Sequence, residues 1–201
     1  MNPTALVLLD YFGIAVFAIS GALLAAEKRQ TLVTFIFFAV VTGIGGGTLR
    51  DLLIGAPVFW VHTNATLLIC IAAALLVWAA SRRWFAGKAL LWFDAAGMAA
   101  YATYGAAKAL MFGVAPVPAF AMGVLTACVG GIIRDVLAGE PSILMRPELY
   151  VTAAALSAGL FVALALAGVM IWIAAAVAIA AGFALRGAAI ARGWSLPQYR
   201  D

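Results

Sequence analysis

An internal repeat constrains this chain more than any other feature. Asp10, Gly13, Gly21, Gly46, Gly47, Arg50, Asp51, Gly55 and Pro57 reappear 84 positions later as Asp94, Gly97, Gly105, Gly130, Gly131, Arg134, Asp135, Gly139 and Pro141. These identities at one offset fall on glycines and ionised residues rather than on common aliphatics, so they mark a duplicated unit. Long apolar runs separate them: 67% of the 201 residues are hydrophobic and 10% are charged, against about 25% charged in ordinary soluble domains. With a mean hydropathy of +1.13, the chain has too little polar surface to cover a water-facing globule. It is an integral membrane protein. Unbroken aliphatic runs favour helices over the short alternating strands of an outer-membrane barrel. A soluble enzyme, a secreted disulfide scaffold and a disordered chain are excluded.

A hydrocarbon core of about 30 Å takes about 20 helical residues. On that ruler the sequence predicts spans near 5–26, 31–54, 61–80, 89–110, 115–138, 149–167 and 169–190. Val151 to Leu185 carries no charge and is too long for one crossing; the repeat register divides it near Ala167-Gly168. The expected architecture is all-α, with seven transmembrane helices as a 3+3 inverted repeat plus one C-terminal helix. Its units are residues 1–84, 85–168, and 169–201 for the seventh helix and tail. Three spans per unit force the second copy to enter from the opposite side, with a pseudo-two-fold axis in the membrane plane.

The basic residues orient the chain. With the N-terminus outside, Lys28, Arg29, Arg82, Arg83, Lys88, Arg146, Arg186, Arg192 and Arg200 fall on the cytoplasmic side, which predicts N-out, C-in by the positive-inside rule. The net charge of +4 is therefore spread along membrane edges, and no nucleic-acid patch forms. Met1-Asn2-Pro3-Thr4 has no basic n-region, so no cleaved signal peptide is expected. Trp60, Trp78, Trp84, Trp92 and Trp194 read as interfacial anchors, His62 as an interfacial polar residue, and Cys70 and Cys128 as small buried hydrophobes.

The chemistry-bearing segments are Gly43-Ile44-Gly45-Gly46-Gly47-Thr48-Leu49-Arg50-Asp51 and Val129-Gly130-Gly131-Ile132-Ile133-Arg134-Asp135. Each glycine costs about 1 kcal/mol of helix propensity relative to alanine, so breaks in the second and fifth helices are expected here, inside protein or beside water. Close small-residue packing is the other reading. Ionised groups within a span are costly unless paired or hydrated. The membrane holds Asp10, Asp51, Asp94 and Asp135 against Arg50, Arg134 and Lys108. Depth matching predicts two ion pairs, Asp10 with Arg50 and Asp94 with Arg134. Asp51 and Asp135 lie about 100° around the helix from their arginines and are expected to pair elsewhere or to face water. Lys108 breaks the symmetry, since its counterpart is Leu24. It either snorkels to the headgroups or stands near the pore mouth as a cation that responds to voltage.

The charges then either fix helix register or line a hydrated pathway between the repeats, as in channels and transporters. The paired segments Gly45-Gly46-Gly47-Thr48-Leu49-Arg50-Asp51 and Gly130-Gly131-Ile132-Ile133-Arg134-Asp135, with the three-plus-three-plus-one layout, resemble the bacterial and archaeal branch of the trimeric intracellular cation (TRIC) channel family. The resemblance spans residues 5–190. It implies an inner-membrane homotrimer with one pathway per protomer, permeable to monovalent cations, potassium and also sodium, and lined by second and fifth helices kinked at the glycines. Gly45, Gly46, Gly47, Arg50, Asp51, Gly130, Gly131, Arg134 and Asp135, together with Lys108, would be the pore-lining or gating residues, with Asp10 and Asp94 as ion-pair partners. Members of this branch have also been described as glycine transporters, so a carrier of a small zwitterion is the alternative. No Ser/His/Asp grouping, nucleotide loop or His–carboxylate cluster suggests an enzyme, a metal or a cofactor. Membrane lipid is the further partner expected, and lipid regulation stays open because no basic cluster surrounds the arginines.

Overall fold

The computed structural model describes residues 3–80, 88–197 and 199. Arg82, Arg83 and Arg200, expected on the cytoplasmic side, and Trp84, expected as an interfacial anchor, lie outside the described residues. Among the described residues, seven α-helices follow one another: α1 (Pro3–Glu27), α2 (Leu32–Leu53), α3 (Asn64–Ala79), α4 (Ala89–Met111), α5 (Pro116–Leu137), α6 (Val151–Leu166) and α7 (Ile171–Arg192). A 3-10 turn at Ile143–Met145 precedes α6, and an isolated antiparallel bridge joins Glu148 to Ser195.

The expected spans match these helices because local chemistry marks their ends. Thr31 and Thr63 cap α2 and α3 through their side chains, and α5 opens on a proline. Gly168, at φ +76°, turns the chain between α6 and α7 in a left-handed conformation that a side chain would resist. α1, α2, α5 and α7 are long and apolar enough to cross a membrane. α3 and α6 have 16 residues each. α4 carries Asp94 and Lys108 yet is buried along most of its 23 residues, because it packs against α1, α5, α6 and α7 at the centre of the bundle.

The two three-helix units meet reciprocally. α1 packs on α4 and α2 on α5, while α7 lies outside the pattern against α4 and α6. The Phe17 ring lies against Gly97, and the Tyr101 ring, 84 positions after Phe17, lies against Gly13. A Cβ on Gly46 would stand 2.1 Å from the Thr126 carbonyl oxygen, and one on Gly130 would stand 2.4 Å from the Thr42 carbonyl oxygen. Contacts in which each unit offers the other the same residue positions are the mark of a two-fold relationship.

These close approaches correct the expectation of broken helices. α2 runs unbroken through Gly43–Gly47 and α5 through Gly130-Gly131. The glycines answer a packing demand: with no side chain at Gly46 and Gly130, the two backbones touch where the helices cross, which supports the close-packing alternative.

Candidate functional site

A cluster of ionised side chains lies at either end of the α2–α5 crossing. In the first, Arg50 and Asp51 are both fully buried. Arg50 Nε donates to Asp51 Oδ1 at 2.9 Å, and Nη2 lies 2.8 Å from the same oxygen. Lys108 reaches across from α4, Nζ to Asp51 Oδ1 2.8 Å and to Oδ2 2.9 Å. The Phe59 backbone amide donates to Asp51 Oδ2 at 3.1 Å, so one carboxylate receives two cations and an amide. The Arg50 guanidinium lies 5.0 Å from the centre of the Tyr104 ring, whose face compensates for the hydrogen-bond partner that Nη1 lacks.

The second cluster repeats this grip. Arg134 Nε donates to Asp135 Oδ1 at 2.9 Å, and the Ile143 amide, 84 positions after Phe59, donates to Asp135 Oδ2 at 3.2 Å. Arg134 Nη1 donates to Asp94 Oδ1 at 2.6 Å and to Ser20 Oγ at 3.0 Å. Ser20 is the counterpart of Tyr104, so each arginine leans on the same position of the other unit.

The expected pair of Asp94 with Arg134 forms, whereas that of Asp10 with Arg50 does not. Asp10 accepts a hydrogen bond from the Tyr101 hydroxyl at 3.2 Å and feels Arg50 only through space. Asp51 and Asp135 follow their expectation in part: Asp51 pairs elsewhere, with Lys108, and Asp135 lines a cavity, but each is also gripped by its own arginine. A helical step of about 100° separates the Cα directions, but the long arginine side chain folds back so that its fork grips the adjacent carboxylate. Lys108 does not snorkel to the headgroups; its ammonium is held at Asp51.

The glycines sit between the clusters in unequal surroundings. A Cβ on Gly45 would meet the Ile133 side chain at 3.2 Å, and one on Gly47 the Phe59 ring at 2.7 Å. At Gly131 the nearest atoms are Arg134 Nη2 at 3.6 Å and Asp94 Oδ1 at 3.7 Å, ordinary contacts that leave room for a methyl group.

The Arg134 end opens on a cavity. The Arg134 cluster faces a cavity of about 300 Å³ lined by Leu24, Glu27, Asp94, Asp135, Glu140, Arg146 and Arg186, among others. Leu24, on the wall of this cavity, stands where Lys108 stands in the other unit, so this end lacks a matching cation. Lys28 Nζ pairs with Glu140 Oε1 beside this cavity, tying the α1–α2 turn to the segment after α5. Lys28 holds the partly exposed Glu140 carboxyl below its usual range by hydrogen bond and charge. No group of three or more His, Cys, Asp or Glu side chains that could hold a metal ion occurs among the described residues.

Sequence reasoning missed Tyr101, Tyr104, Ser20, Tyr150 and Arg186. The repeat offset carried a signal for Ser20 and Tyr104, which occupy equivalent positions on α1 and α4. Arg186, expected at the cytoplasmic edge, is buried to 2% exposure and pairs with Glu148. Trp60 donates to Thr48 Oγ1 at 2.9 Å, which ties this expected interfacial anchor to α2.

A family model described as "Glycine transporter" matches the chain twice, over residues 7–82 and 91–166, copies that begin 84 positions apart. The fold is similar to that of the TRIC trimeric intracellular cation channel orthologue from Rhodobacter sphaeroides, at TM-score 0.88 and 42% identity over 95% of this chain and 100% of that one. In sequence it is 40% identical to a UPF0126 membrane protein of Vibrio cholerae, over 83% of this chain and 71% of that protein. It is 37% identical to the UPF0126 inner membrane protein YadS of Escherichia coli strain K12, over 72% of each.

Proposed function

We propose, since this chain belongs to the bacterial branch of the trimeric intracellular cation channel family, that it is a multi-pass inner-membrane channel that passes monovalent cations, potassium first and sodium also. One observation carries this reading. Two symmetry-related charge clusters flank the glycine crossing of α2 and α5, and one of them opens on a charged cavity of about 300 Å³. Four acids stand against three bases at membrane depth, a balance that favours cations.

Lys108 is the gate at the Asp51 end. While its ammonium sits on Asp51 it fills the place that is open around Leu24. As a charge within the field it feels up to about 2.3 kcal/mol per 100 mV, so depolarisation or hyperpolarisation biases its position. Opening bends α2 and α5 at Gly45–Gly47 and Gly130-Gly131, where helix propensity is low.

The protein assembles as a homotrimer with one pathway per protomer, N-terminus outside and C-terminus cytoplasmic. Residues 1–84 and 85–168 act as the two inverted units and 169–201 as the added helix and tail. Lipid covers the apolar faces, and no cofactor takes part.

The family description favours a second reading, a secondary transporter of glycine. Recording purified protein in planar bilayers under asymmetric potassium chloride, with glycine uptake into proteoliposomes alongside, separates the two. A channel gives unitary currents that reverse near the potassium potential. Reversal at the chloride potential, or transport seen only with glycine, would sink the cation-channel reading.

A further inference from the structure

The seventh helix has no counterpart in the repeat, yet it places a charge in the wall of the open cavity. Arg186 of α7 is 2% exposed and lines the cavity of about 300 Å³ together with Asp94, Arg134, Glu27 and Glu140. Its Nη2 bonds to Glu148, its guanidinium lies 5.3 Å from the centre of the Tyr150 ring, and its Nε has no hydrogen-bond partner. Glu148 does not line that cavity. It lines another, of about 240 Å³, together with Arg186, Trp194 and Ser195. Arg186 therefore borders both cavities, and its anion Glu148 only the second.

The C-terminal segment fixes this arrangement. The Leu196 amide donates to the Pro147 carbonyl at 2.7 Å, and Glu148 is bridged to Ser195. Within the first cavity, the vestibule, Arg134 is already matched by Asp94 and Asp135, and Glu140 by Lys28. The Arg186–Glu148 dipole is a remaining adjustable contribution to the potential there.

We propose that Arg186 sets cation throughput at the vestibule, as a positive charge partly neutralised by Glu148 and held in register by the C-terminal clasp. The inference rests on the cation-channel reading above. A charged wall in a confined mouth changes the local concentration of permeant ions, and salt screens the effect.

Single-channel recording of Arg186→Gln, Arg186→Lys and Glu148→Gln tests it, with the C-terminal face marked by streptavidin on a C-terminal biotin tag. At low potassium chloride, Arg186→Gln raises the unitary current entering from that face by about twofold, and Glu148→Gln lowers it by a similar factor. Arg186→Lys stays near wild type, and all differences shrink in 1 M salt, where the Debye length is about 3 Å. A merely structural bridge is broken equally by either neutral substitution, so shifts in the same direction, or none, overturn the proposal. Arg186→Cys gives a second measurement on folded, assembled protein: a cationic methanethiosulfonate lowers its current and an anionic one raises it. Equal responses to the two reagents overturn the proposal as well. A wild type without cation current overturns both this inference and the channel reading; a conducting wild type with unresponsive variants overturns this inference alone.

Discussion

Lys108 Nζ lies 2.8 Å from Asp51 Oδ1, and the residue that stands in its place in the other unit is Leu24, on the rim of an open cavity. This difference between matched positions gives one end of the site a cation that the other lacks. Replacing Lys108 with methionine keeps the length of the side chain and removes the charge. Asp51 keeps Arg50 and the Phe59 amide, so the fold loses less than about 1 kcal/mol, in keeping with the partial exposure of the lysine. The expected outcome is a higher open probability with weaker voltage dependence, read in single-channel records. Asp51→Asn behaves differently, because it leaves Arg50 buried without a counter-charge. It should lower stability by about 3 kcal/mol, read as earlier thermal unfolding in detergent.

The Arg134 cluster has more partners to lose. Arg134→Ala strands Asp94 and Asp135, both nearly fully buried, and should destabilise the fold by about 3–5 kcal/mol. Asp94→Ala is milder because Asp135 still holds the guanidinium by its Nε. The double variant should recover part of the loss, with a coupling energy of about 0.5–3 kcal/mol in thermal or denaturant unfolding. Strict additivity would show that the 2.6 Å contact carries no coupling.

Much of this was legible in the sequence, and what was missed has a physical pattern. Helix ends could be read because a crossing of the hydrocarbon core takes about 20 helical residues, and because the repeat register divides the long uncharged run at Gly168, where the chain does turn. The Arg-Asp sites could be read because ionised residues are rare in an apolar chain and these occur twice. Periodicity, however, fixes where a Cα points and not where a long side chain ends. Arg50 could thus reach its own neighbour Asp51 and leave Asp10 to Tyr101. Arg186 followed a long uncharged run and looked like an edge charge. Its burial depends on Glu148, brought in by a connection whose path the sequence does not encode locally. The glycine cluster announced a low helix propensity, but only the crossing partner decides whether that becomes a break or a contact.

The tie between Lys28 and Glu140 should be insensitive to pH over the physiological range. The Glu140 carboxyl is held below its usual value of 4.5 by the Lys28 ammonium. A carboxylate lowered in the folded state stabilises it at pH above that usual value, and the contribution disappears as pH falls through the lowered one. Hydrogen exchange in the α1–α2 turn should therefore be unaffected by this pair between pH 7 and 5 once the intrinsic rate is corrected, and should rise only in more acidic solution. Glu140→Gln should show the faster exchange already at pH 7. An equal wild-type response at pH 6 would rule out the pair as its cause.

The glycines provide the sharpest contrast, because the structure assigns different consequences to neighbours that look alike in sequence. At Gly46 a methyl group would collide with the Thr126 carbonyl oxygen at 2.1 Å, a backbone atom that can retreat only if α2 and α5 separate. Gly46→Ala should therefore destabilise by about 1–3 kcal/mol, the usual range for overpacking, despite the gain in helix propensity. Gly130→Ala meets Thr42 in the same way at 2.4 Å and should behave alike. Gly131→Ala meets nothing closer than 3.6 Å, so the propensity gain of up to about 1 kcal/mol is available without a clash. Thermal unfolding in detergent should rank Gly131→Ala at or above wild type and the other two well below it. If α5 must bend at Gly130-Gly131 for the pathway to open, Gly131→Ala should also lower open probability while leaving stability intact, a combination that packing alone does not produce.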